Sequence, residues 1–148
     1  MAQTDLGRLM LEGHRVLSAE LLEDMSERGF PDLRPAHTAV FLNIDRRSGT
    51  RLTELARRAR MTKQGMMLLI DDLEERGYVR RVPDETDARA KVVRLTARGR
   101  RCAAETRRAA AAVEARTRRL LGERHFDTLR EALDELIEAA EVEEATGA

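Results

Sequence analysis

Residues 78–99 read YVRRVPDETDARAKVVRLTARG, and this stretch decides the fold. Two β-prone runs, residues 78–82 and 91–95, flank a polar connection holding Pro83, Asp84, Asp87 and Arg89, the makeup of a hairpin with a long, charged loop. Thr96 follows the second run and is placed to cap the first turn of a helix with its hydroxyl. Just upstream, Met66, Leu69, Ile70 and Leu73 recur at spacings of three and four, which predicts a helix over residues 62–77 with one buried face.

The order helix, basic-looped hairpin, helix describes a winged helix-turn-helix. Asp87-x-Arg89 with Leu95-Thr96-x-x-Gly99 behind it resembles the signature of the MarR family of bacterial transcriptional regulators. The expected fold class is therefore mainly α with a small β-hairpin, a winged helix-turn-helix lobe joined to a helical dimerisation region.

Outside the lobe the chain reads as helices. Leu6, Met10, Leu17, Leu21 and Met25 mark a first helix over residues 5–28, closed by Gly29, Pro31 and Pro35. Pro35 fits the first turn of a second helix running to about residue 46, with Val40, Phe41 and Ile44 on its apolar side. A short third helix opens at Leu52-Thr53 with Thr53 as its cap, and Met61-Thr62 makes the turn into the fourth. From Thr96 a helix of about 25 residues, on the order of 37 Å, is expected before Gly122 breaks it. A last helix, residues 125–143, carries Phe126, Leu129, Leu133, Leu136, Ile137 and Ala140 on one stripe, and residues 143–148 read as a disordered tail. The implied organisation is 1–34 as an N-terminal dimerisation helix, 35–100 as the DNA-binding lobe and 101–148 as C-terminal dimerisation helices.

Composition narrows the function. The 148 residues are 42% hydrophobic and 36% charged, ordinary for a soluble helical protein, while 3% aromatics and no Trp argue against a base-stacking or carbohydrate surface. Residues 1–11 show no basic leader with an apolar segment behind it, and apolar runs such as residues 66–70 fall far short of the roughly 18 residues a membrane helix needs. A cytoplasmic protein with no membrane partner is expected, and one cysteine, Cys102, suits a reducing compartment. Net charge is zero, yet residues 51–101 hold 14 Lys/Arg against 8 Asp/Glu, whereas the flanking segments are acidic. That concentration places positive charge where released counterions would drive DNA binding.

On the fourth helix, Thr62, Lys63 and Gln64 lie at the N-terminal end, with Gly65 and Met67 nearer the groove than buried Met66. Gln64 suits an adenine edge, Lys63 a guanine or phosphate, and Met67 a thymine methyl or packing against the lobe. This chain departs from many relatives in having Met67, Leu68 and Asp72 where Thr or Arg are frequent. On the wing, the resemblance implies Arg89 as the minor-groove residue with Asp87 as its orienting partner. Arg80, Arg81, Lys91 and Arg94 are phosphate candidates or solvated charges. The family resemblance further implies a homodimer on double-stranded DNA and a small aromatic or anionic effector, for which His14, Arg15, His37 and Phe41 are the candidate contacts. Three scattered histidines lack metal-ligand convergence, so no metal and no cofactor are expected. Cys102 beside Arg98, Arg100 and Arg101 is either a low-pKa redox thiol or an inert half-buried residue. No phosphate loop, nucleophile elbow or HExxH is present, so an enzyme is not expected. The rival is an interaction or antirepressor protein on a winged helix, suggested by the apolar Met67-Leu68 pair.

Overall fold

In the computed structural model, which describes residues 4–147, the described residues form six helices and three strands. Helix α1 spans Leu6–Glu27, α2 Pro35–Asn43, α3 Leu52–Arg58, α4 Lys63–Glu75, α5 Ala97–Leu121 and α6 Glu123–Thr146; the strands are β1 Thr50–Arg51, β2 Val79–Pro83 and β3 Lys91–Leu95. The chain divides into two compact units, Met1–Ala110 and Ala111–Ala148.

Caps set the helix starts. Asp5 accepts from the Arg8 N–H at 3.0 Å to open α1, and Thr62 accepts from the Gly65 N–H at 3.0 Å to open α4. Thr96 accepts from the Gly99 N–H at 3.1 Å and donates to the Gly77 carbonyl at 2.6 Å, so one hydroxyl both starts α5 and ties it to the end of α4. Gly99 itself is demanded by close approach, since a Cβ there would stand 1.9 Å from the Tyr78 carbonyl oxygen.

Inside the first unit, Met25, Val40, Phe41, Leu55, Met66, Ile70, Leu73, Tyr78 and Val93 are fully enclosed or nearly so. The Tyr78 ring meets Phe41 edge-on at 5.6 Å and Phe30 at 6.1 Å. Its hydroxyl donates to Asp32 at 2.5 Å, and the Arg98 guanidinium lies 4.4 Å from its ring centroid. This knot fastens the base of the hairpin to the start of α5. In the second unit, Arg118 pairs with Glu123 and Asp127 and covers the Phe126 ring at 4.2 Å, pinning the corner where Gly122 adopts φ 80°.

Several expectations are corrected. The hairpin is part of a three-stranded antiparallel sheet ordered β1-β3-β2, because Thr50 and Arg51 pair with Val93 and Val92. Gly49, at φ 75°, permits that pairing: a side chain there would meet the Val93 carbonyl at 2.5 Å. Helix α2 stops at Asn43 rather than near residue 46, because the Asp45 carboxylate accepts from the Arg47 and Ser48 N–H groups at 2.8 and 2.9 Å and turns the chain out. Helix α3 begins one residue before Thr53, with extended Arg51 at its N-cap position, so Thr53 lies in the first turn and caps nothing. Residues 143–146, expected in a disordered tail, continue α6; Ala148 and residues 1–3 lie outside the described residues.

Candidate nucleic-acid interface

The N-terminal end of α4 and the wing between β2 and β3 face one groove. A concavity of about 370 Å³ is lined by Arg51, Leu52, Thr53, Lys63, Met67, Arg81, Arg89, Ala90 and Lys91: five cations and no carboxylate. Helix periodicity explains the α4 side. Met66, Ile70 and Leu73 are buried, which leaves Thr62, Lys63, Gln64, Met67 and Leu68 exposed, with Gly65 half-buried between them. Leu68 is 65% exposed and Met67 45%, so neither is core packing in this chain.

The five cations differ in what they already hold. Arg81 is spoken for: it pairs with Asp71 and with Glu74, whose carboxylate also accepts the Arg81 backbone N–H at 2.9 Å. A phosphate would have to displace two carboxylates to use it. Arg51 donates to Asp84 at 2.5 Å and to the Thr86 hydroxyl at 3.3 Å. Lys63, Arg89 and Lys91 have no ion-pair partner among the described residues. Arg80 and Arg94 stand directly opposite each other across the β2–β3 ladder, an arrangement that like charges disfavour, and Glu85 lies 3.8 Å from Arg94.

The wing is built by its own hydrogen bonds. The Asp84 N–H donates to the Ala90 carbonyl and the Ala90 N–H to the Asp87 carbonyl, both at 3.0 Å. Asp84 accepts from the Thr86 N–H and hydroxyl, both at 2.8 Å, and these bonds with Arg51 hold its carboxyl at about 2, well below the usual range. The expected Asp87–Arg89 ion pair is not among the contacts of the described residues; the Asp87 carboxylate accepts the Arg89 backbone N–H at 3.0 Å instead. The guanidinium is left exposed at the loop tip.

A second cluster ties α4 to α2. Asp72 accepts from Arg34, from Arg76 at 2.9 Å and from His37 Nε2 at 2.6 Å. These bonds, Arg34 first and Arg76 next, hold the Asp72 carboxyl far below its ordinary value. His37 Nδ1 accepts the Arg34 N–H at 3.0 Å, closing the first turn of α2, and burial lowers its pKa below 6.5 despite the nearby carboxylate. Asp72 therefore fixes α4 to the start of α2.

The proposed effector contacts do not converge. Phe41 is a core residue against Tyr78, His37 a buried cap, and His14 and Arg15 are exposed on α1, bonded to Ser18 and Glu12. A cleft of about 440 Å³ is lined instead by Arg34, Pro35, Ala36, His37, Gly65, Leu68, Leu69 and Asp72. Only His37 is shared with the sequence-based set. Cys102 is fully buried and its thiol is pushed up to about 12 by that burial, so the nearby arginines do not make it a thiolate. No helix among the described residues is long and apolar enough to cross a membrane.

Comparison with known proteins bears on this geometry. Residues 32–90 match the model of the MarR family. Among solved structures, the chain is similar to the transcriptional repressor CouR bound to a 23-mer DNA duplex, with 26% identity, 90% of this chain and 92% of that chain covered, and a TM-score of 0.76. It is similar to the Mycobacterium tuberculosis MarR family protein Rv2887 in complex with salicylic acid, with 27% identity, 91% and 98% covered, and a TM-score of 0.66. It shares its fold with CouR from Rhodococcus jostii bound to p-coumaroyl-CoA, at 22% identity, 89% and 91% covered, and a TM-score of 0.71. No curated protein matches the sequence.

Proposed function

We propose that this chain, a winged-helix transcription regulator whose lobe is of the MarR family, is a sequence-specific repressor that binds a pseudo-palindromic operator as a homodimer. The observation that carries this reading is the groove between α4 and the wing, where Lys63, Arg89 and Lys91 lack internal partners beside the N-terminus of the recognition helix. Unpaired cations at that place release counterions when a phosphate replaces water. Thr62, Lys63, Gln64, Gly65 and Met67 enter the major groove, Arg89 the flanking minor groove, and Lys91 a phosphate. Arg81 contributes less, because Asp71 and Glu74 already neutralise it.

The homodimer rests on apolar exposure. Leu6, Leu9, Met10, Leu11, Val16 and Leu17 of α1, and separately Leu129, Leu136, Ile137 and Val142 of α6, are all at least 41% exposed, apolar surface on each helix of the kind that marks an association site. Residues 1–34 and 101–148 are the dimerisation parts and 35–100 the reading lobe, and a two-fold axis spaces two recognition helices by about one DNA turn, near 34 Å.

A small aromatic effector releasing the DNA, or an anionic one able to draw Arg34 from its Asp72 partner, fits the cleft beside α4, where Leu68, Leu69 and Pro35 offer an apolar floor. Salicylic acid bound to the Rv2887 protein motivates that class. The protein works in the cytoplasm by binding, not by catalysis.

The rival, an interaction or antirepressor protein, draws on exposed Met67 and Leu68. Selection of duplexes from a random-sequence pool separates the two. A regulator enriches a palindromic motif whose affinity falls steeply with salt; enrichment of no motif, with equal affinity for every duplex, ends the regulator reading.

A further inference from the structure

We infer that Arg51 is a positioning residue for the wing: from β1 it clamps the loop between β2 and β3 so that Arg89 is presented in one pose. A loop of seven residues between two strands has no reason of its own to hold still. Here its internal bonds close the turn, yet they join the loop only to itself and to the two strands that lead into it. The Arg51 fork reaches the loop from a third strand, with one nitrogen on Asp84 and another on Thr86. Asp84 is the right anchor. It is the most enclosed of the loop's carboxylates, with a side chain 12% exposed, and it also accepts two bonds from Thr86, so Arg51 grips a group already fixed to the turn.

Position on β1 makes the clamp stiff. Arg51 pairs with Val92 in the ladder and stands at the N-cap position of α3, so its backbone cannot slide without breaking the sheet or the helix start. The result is a mechanical link from the helix-turn-helix to the wing tip, supplied by the short strand that periodicity does not reveal. Holding the loop in advance removes the ordering cost that a free wing would meet on DNA. The mechanical part stands alone; the part concerning DNA rests on the regulator reading above.

Two measurements test it. Hydrogen exchange on the free protein should show Arg51→Ala and Asp84→Asn accelerating the Ala90 and Arg89 amides about tenfold or more, the scale expected when one charged anchor of a loop is lost, with α4 and α5 amides unchanged. Unchanged exchange at Arg89 and Ala90 overturns the clamp. The second measurement uses the tightest duplex selected from the random pool. Asp84→Asn removes a negative charge beside a polyanion, so simple electrostatics demands tighter binding, whereas the clamp demands weaker binding by about threefold to tenfold. Arg51→Ala should add little to Arg89→Ala, because both act through one side chain. Full additivity, with a salt slope lowered by about one, would make Arg51 a phosphate contact and overturn the inference. If the pool yields no preferred duplex, the regulator reading falls, and the exchange result alone decides whether Arg51 holds the wing.

Discussion

The lobe from α2 to β3 and the stripes on α1 and α6 treat apolar side chains in opposite ways. In the lobe, Val40, Phe41, Leu55, Met66, Ile70, Leu73, Tyr78 and Val93 have essentially no solvent contact. Along α6 no residue is buried, and the first half of α1 is equally open, although Leu21, Leu22 and Met25 at its far end join the lobe's core. The lobe buries its apolar side chains within the first unit, whereas on the proposed reading the stripes are covered by a second copy. Damage to the lobe should therefore lower stability independently of concentration, and damage to a stripe should act through association.

The sharpest break is predicted at Gly99. Gly99→Val puts a branched side chain onto the Tyr78 carbonyl, where a Cβ alone already stands at 1.9 Å. Forcing α5 off the hairpin should cost about 3 kcal/mol or more, read as a drop in denaturation midpoint that is the same at every protein concentration. Next comes Ile137→Glu on α6, half exposed in the isolated chain. Burying it against a second copy would contribute about 2 kcal/mol, so sedimentation should show a dimer becoming a monomer, with the lobe's secondary structure intact. A monomeric wild-type protein would remove the contrast between the two regions.

Within the lobe, Arg89→Ala should weaken binding to a selected duplex about tenfold, mostly through A·T-rich flanks, and Lys63→Ala should lower the salt slope by about one. A smaller effect is expected from pH. Burial lowers the His37 pKa below its ordinary 6.5, against the pull of Asp72 and with Arg34 and Arg76 opposing protonation. The unfolded chain then binds the proton more readily, so this contribution is complete above pH 6.5 and is lost as pH falls from there through the lowered folded-state value. Asp72 stays charged throughout that window, because its own pKa is lowered and its contribution fades only at far more acidic pH. His37→Gln should flatten the slope of the chemical denaturation midpoint across that window. At the bottom of the scale lies Cys102, enclosed and with its thiol near 12: peroxide should leave both thiol count and DNA affinity unchanged.

Where a side chain's role is local, the residues announced it. The threes and fours of Met66, Ile70 and Leu73, the cap at Thr96 and the 25-residue reach of α5 follow from hydrogen bonds within a turn or two. Roles set by distant partners stayed hidden. Strand β1 is two residues long and exists because β3, some forty positions away, lies beside it. Arg81, by sequence a phosphate candidate or a solvated charge, is paired with Asp71 and Glu74 on α4. Phe41 belongs to the core, and the cleft that holds His37 joins α2 to α4 across thirty residues of chain. Periodicity leaves Met67 and Leu68 open to packing or contact, and only the fold shows that both stay exposed.

The residue order alone determined that a helix, a basic-looped hairpin and a long capped helix follow one another, since periodicity and capping are properties of contiguous chain. Only the tertiary structure decided which charges are free. An arginine carries the same formal charge wherever it stands, and whether it meets a carboxylate or open solvent depends on which distant strand or helix lies within about 4 Å.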